Sequence, residues 1–143
     1  MAIDDLARSG RIRRETISPA EVGETLKLAD RDLRVARKLL GEELDWGFTV
    51  AYNAVLQAAR AFMFAKGYRP ASAEGHKNTF AFLAAALGPK QADLVSYFDR
   101  MRNKRNQAVY GMAGRIAETE ARNLLAKATE FVKLVRRLIK EAS

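Results

Sequence analysis

Between Leu44 and Lys66, apolar residues recur at alternating steps of four and three through Leu44, Phe48, Ala51, Val55, Ala58, Phe62 and Ala65. The spacing predicts a helix, because residues three and four apart share one face at about 100 degrees per residue. The other faces carry Val50, Ala54, Leu56, Ala61, Met63 and Phe64. A helix apolar nearly all round has no side suited to water. It lies either at the centre of a bundle or between the bundle and a partner chain.

The flanking segments repeat the spacing with one apolar stripe each. Ser18, Pro19 and Glu21 make a helix start, in which the serine oxygen caps free amides, proline fills the first turn and glutamate completes a capping box. Val22, Leu26, Ala29, Leu33, Ala36 and Leu40 then mark one amphipathic helix that Gly41 stops. Beyond Gly67 and Pro70, "YRPASAEGHKN" reads as a loop before a shorter helix, "TFAFLAAAL", closed by Gly88 and Pro89. Leu94, Phe98, Met101, Arg105 and Ala108 define the next helix, and Ala121, Leu124, Ala128, Phe131, Val135 and Leu138 the last, from about Glu118 to Lys140. No strand pattern appears. The expected fold is all-α, an up-and-down bundle of four to five helices, with an N-terminal arm over 1–17 and a single domain over 18–143.

Composition narrows the chemistry. With 143 residues the chain can bury a core of its own. It has no cysteine and one histidine, which removes thiol catalysis, thiolate zinc sites and multi-histidine metal sites within one chain. "GYRPASAEG" lacks the glycine-lysine-serine pattern of a phosphate loop, so neither a metal nor a cofactor is expected. The start, "MAIDDLARSG", does not read as a signal peptide, and no apolar run approaches the roughly 18 residues of a membrane span. A cytoplasmic protein is the expectation. A formal charge of +8 favours polyanionic partners, since each cation that neutralises a phosphate releases condensed counterions.

The charge concentrates in "RMRNKRNQAVYG", residues 100 to 111. On a helix Arg102, Asn106 and Val109 fall within about 60 degrees of one another, with Arg105 about 60 degrees to one side. Arg105 also occupies a slot of the apolar stripe, where a guanidinium has to be paired or open into a wet cleft. Arg102, Lys104, Arg105 and Asn106 are therefore candidates for holding RNA or another phosphate. The alternative is a solvated face in which Arg105 snorkels outward and Arg100 and Arg102 pair with Asp99 or with glutamates of another helix.

The segments "SGRIRR", "LKLADRDLRVARKLL", "AYNAVLQAARAFMFAKGYRP", "GHKNTF" and the Arg-to-"AVYG" stretch come in the order and spacing of a small prokaryotic branch of the HEPN domain family, which the chain resembles. That family's signature is an arginine, often followed by asparagine, four to six positions before a histidine and near a tyrosine. Arg102 and Asn103 match it, six residues separate Arg102 from Val109, and Tyr110 follows. The resemblance implies a homodimer whose paired motifs cut RNA without metal, commonly as the toxin of a toxin–antitoxin pair with a minimal nucleotidyltransferase that modifies a tyrosine beside the motif. Carried over, Arg102 grips the phosphate, Asn103 orients it and Tyr110 is the modification target. The histidine does not carry over. Val109 stands in its slot and can neither move a proton nor donate to the 2′-oxygen. Tyr110 also lies directly beside that slot, one residue nearer than the family places it.

Several functions stay open on the sequence: an RNA- or nucleotide-binding component of a toxin–antitoxin or defence pair with degenerate ribonuclease activity, a helical interaction module that docks a nucleotidyltransferase, and a ribonuclease using another residue. His76, in "AEGHKNTF", is either a loop or capping histidine or the stand-in for the missing imidazole. Trp46, Phe48, Tyr52 and Tyr97 sit at helical spacing and are expected in the core, while Tyr68 and Arg69 are expected as exposed loop contacts.

Overall fold

Capping and proline geometry set where the first long helix begins. The Ser18 hydroxyl oxygen accepts from the Glu21 N–H at 3.1 Å, and Pro19 fills the first helical position. The Glu21 carboxylate itself accepts from Arg69 at 2.6 Å, so the glutamate half of the expected box serves a distant strand. The computed structural model describes residues 2–110, 114 and 116–142, with the backbone alone for 108–110. Along the chain it runs α1 (Ile3–Arg8), β1 (Ile12–Arg14), α2 (Pro19–Leu39), α3 (Leu44–Ala65), β2 (Tyr68–Pro70), α4 (Gly75–Leu87), a 3₁₀ turn (Pro89–Gln91), α5 (Ala92–Tyr110) and α6 (Glu118–Ala142). Among the described residues no helix is long and apolar enough to cross a membrane.

The fold is all-α with α3 at its centre: α2, α4, α5 and α6 all pack on it. Of the two positions its composition allowed, it takes the one inside the bundle. Phe48, Ala51, Tyr52, Ala54, Val55, Ala58, Ala59 and Met63 are wholly buried, against Ala29, Leu33 and Ala36 of α2 and Leu124, Ala128, Phe131 and Val135 of α6. Small residues set the spacing at the α2–α3 turn. A Cβ on Gly47 would stand 2.8 Å from Leu40 Cδ2 and 3.0 Å from the Leu40 backbone nitrogen. Trp46 departs from the expected core packing, because it faces outward from the first turn of α3 and is 57% exposed.

The segment expected as an N-terminal arm, described from residue 2, is stitched to the bundle. Leu6 and Ile12 are buried in the main core, and β1 pairs antiparallel with β2, Ile12 opposite Pro70 and Arg14 opposite Tyr68. The ladder continues through Glu15 N–H to the Gly67 carbonyl and Ala71 N–H to the Arg11 carbonyl. Three-residue strands are too short to show alternation, and these two are separated in sequence by the whole of α2 and α3, which is why no strand pattern was visible. Tyr68 is accordingly buried, not an exposed loop contact.

The start of α4 also differs. It begins at Gly75, ahead of the expected Thr79, after Glu74 in the left-handed region at φ 55 and without a side-chain cap. Asn78 anchors this end, accepting from Arg11 Nε at 2.8 Å and donating to the Ala73 carbonyl at 3.0 Å. His76 therefore rides on the first turn of a helix fixed to the N-terminal segment.

Candidate functional site

The arginine-rich stretch forms the second half of α5, continuing beyond Phe98 and Met101, which anchor the helix in the core. Its cations do not share one fate. Arg102 donates Nε to Asp99 Oδ1 at 3.0 Å, and Lys104 pairs with Glu120 on α6. Arg100 lies over the Tyr97 ring. Those pairings follow the solvated-face alternative. Asn103 and Asn106 are exposed.

Arg105 is different. Its Cζ lies 5.9 Å from the centre of the Tyr52 ring and Nη1 donates to Asn106 Oδ1 at 3.2 Å, but Nε is buried with no acceptor among the described residues. The helical phase that put Arg105 in the apolar stripe explains the placement, since α5 packs that stripe on α3. A buried donor without a partner costs about 1–3 kcal/mol.

Tyr52 joins Arg105 to His76. The wholly buried Tyr52 hydroxyl lies 3.1 Å from His76 Nδ1, and its ring also meets Phe80 of α4. Burial raises the Tyr52 pKa, against the opposing pull of Arg102 and Arg105. Burial likewise lowers the pKa of His76, and repulsion from Arg105, Arg102 and Arg60 lowers it further. His76 is thus neutral near pH 7 and sits in the positive field of the motif arginines. If its Nδ1–H donates to Tyr52, Nε2 is left unprotonated and able to take a proton; the opposite tautomer makes Nε2 a donor.

The structure therefore brings Arg102, Arg105 and His76 into one electrostatic neighbourhood and ties Lys104 down elsewhere. Tyr52 was expected in the core and is buried there; its hydroxyl makes a contact to His76 that the sequence did not mark. A polar tip on an otherwise apolar helix was the available signal, since buried tyrosine hydroxyls usually find a partner. The expectations for Val109 and Tyr110 concern side chains outside the described residues. Among the described residues, no group of three His, Asp or Glu side chains is arranged to hold a metal.

A family model described as the HEPN domain matches residues 22–138, from the first turns of α2 to the last turns of α6. No curated protein matches the chain.

Proposed function

The chain belongs to the HEPN domain family, and on that premise we propose that it is the RNA-binding component of a toxin–antitoxin or defence pair, a homodimer that holds RNA phosphates on α5 and cleaves them slowly or not at all. The observation that carries this reading is Arg105, which among the described residues has no carboxylate partner, while Arg102 and Lys104 each have one. A guanidinium presents donors in a rigid fork, and a phosphate oxygen is the acceptor that suits it. Arg102 stands one turn earlier with its Nε held by Asp99, which orients the remaining nitrogens. Lys104, neutralised by Glu120, contributes little.

Cleavage through the 2′-hydroxyl needs proton transfer as well as charge stabilisation, and loss of a positioned acid–base group costs about 10² to 10⁴ in rate. Arginine supplies only the second. With valine at position 109, any proton transfer falls to His76, whose Nδ1 is already engaged by Tyr52. In this reading a minimal nucleotidyltransferase is the partner and Tyr110 its target. The test is incubation of the purified protein with mixed RNAs in EDTA. Binding without cutting is expected; robust cutting that Arg102→Ala abolishes would overturn the reading.

A second reading, an interaction module that docks the nucleotidyltransferase without RNA, draws on the exposure of Trp46 and the internal pairing of Arg102 and Lys104. Tight binding of that partner, weakened by Trp46→Ala, together with no RNA affinity, would select it.

A further inference from the structure

A second cationic feature adjoins His76. A cleft of about 370 Å³ is lined by side chains of β1, α3, β2 and the start of α4. Arg13, Arg60, Arg69 and His76 line it, and among the described residues no carboxylate does. Arg69 is neutralised by Glu15 and Glu21. Arg60 lies over the Phe64 ring, and among the described residues neither Arg13 nor Arg60 has a carboxylate partner. Gly75 also lines the cleft, where the thirteen-residue α4 begins with no side chain capping its first amides.

We propose that this cleft binds a phosphate monoester, at a site separate from the α5 face. Arg13 and Arg60, neither with a carboxylate partner among the described residues, and the uncapped, positively polarised end of α4 line one hollow. A terminal phosphate is a dianion with three acceptor oxygens, which suits several forks and amides better than a carboxylate does. Leu56 and Phe64 add apolar wall beside the cations, and the volume falls in the range of small-ligand pockets. Repulsion of the His76 proton by Arg60, added to that from Arg105 and Arg102, is consistent with a positive potential beside His76. The monoester can come from a free nucleotide or from the 5′-phosphorylated end of an RNA strand. The site stands whether or not α5 grips RNA.

The chain has a single histidine, so its imidazole C–H resonances report on the cleft without assignment. The full-length protein is titrated with AMP, with a short 5′-phosphorylated oligoribonucleotide, and with the same strand ending in a 5′-hydroxyl. At least one phosphorylated ligand should shift the His76 resonances and raise its pKa, since a nearby dianion favours the imidazolium. A response to AMP identifies a free nucleotide as the source; a response to the phosphorylated strand alone identifies an RNA end. Arg60→Gln and Arg13→Gln should each weaken that binding about tenfold, and Arg122→Gln, which removes a surface charge on α6, should leave it within about twofold. Resonances unmoved by both phosphorylated ligands, an equal response to the 5′-hydroxyl strand, or undiminished affinity in both Arg60→Gln and Arg13→Gln would each overturn the proposal. Loss of RNA binding with AMP binding intact would overturn the α5 reading alone.

Discussion

Replacing Arg105 by methionine separates holding a phosphate from holding the fold. Arg105 Nε is buried with no acceptor among the described residues, a cost of about 1–3 kcal/mol, offset by about 0.5–1 kcal/mol from the guanidinium over the Tyr52 ring. Methionine fills the same slot of the apolar stripe, removes the orphaned donor and places a polarisable sulfur near Tyr52. The net expectation is a gain of about 1 kcal/mol, or a rise in melting temperature of about 3 °C for a domain of this size. RNA affinity should move the other way, falling at least about tenfold, because a hydrogen bond to a charged group is lost. Thermal melting by circular dichroism and fluorescence anisotropy with a labelled single-stranded RNA read both quantities on one preparation. An Arg105 that merely lay along the surface would change stability by less than about 0.5 kcal/mol. A destabilised Arg105→Met, or one with unaltered RNA affinity, refutes the reasoning.

Gly47→Ala gains up to about 1 kcal/mol of helix propensity but forces a Cβ to within 3.0 Å of the Leu40 backbone nitrogen, which cannot rotate away. A net loss of about 1–2 kcal/mol is expected in urea unfolding, and a stabilised variant would show that the α2–α3 turn has slack. Ser18→Ala removes the cap on the Glu21 amide and should cost about 1 kcal/mol, seen as a lower melting temperature. For His76 the folded pKa lies below the unfolded one, through burial first and then Arg105, Arg102 and Arg60. Its contribution to stability is therefore full above the unfolded value of about 6.5 and is lost as pH falls through the folded value. His76→Gln should flatten the decline in melting temperature between about pH 7.5 and about pH 5.5, and an equal slope in both proteins would contradict the assignment.

Helix-by-helix, the architecture was legible because apolar stripes at steps of three and four have few other solutions. Val22 through Leu40, Phe48 through Phe62 of α3 and Ala121 through Val135 occupy the inward positions their spacing predicts. What escaped was short or tertiary in origin. β1 and β2 have three residues each and exist through a partner more than fifty positions away. Trp46 has the spacing of a core residue but lies beyond the reach of the neighbouring helices. Helical phase also marked Arg105 as a misfit in an apolar stripe, without showing that Tyr52 lay beneath it or that a helix start would carry His76 to the Tyr52 hydroxyl. Arg13 and Arg60, far apart in sequence, line one cleft because the β1–β2 ladder brings β1 back to α3 and α4. Nothing in their local sequence marks them.

RNA held by the arginines of α5 must lose affinity as salt rises, and the salt dependence of binding measures that contact. For single strands the slope of log K against log salt is about −0.7 per phosphate neutralised. Wild-type protein should show a steep negative slope that Arg105→Ala makes shallower by at least about 0.7, while Arg102→Ala and Lys104→Ala, their charges already met by Asp99 and Glu120, change it less. A flat slope in the wild type, or one identical in all four proteins, would contradict the claim.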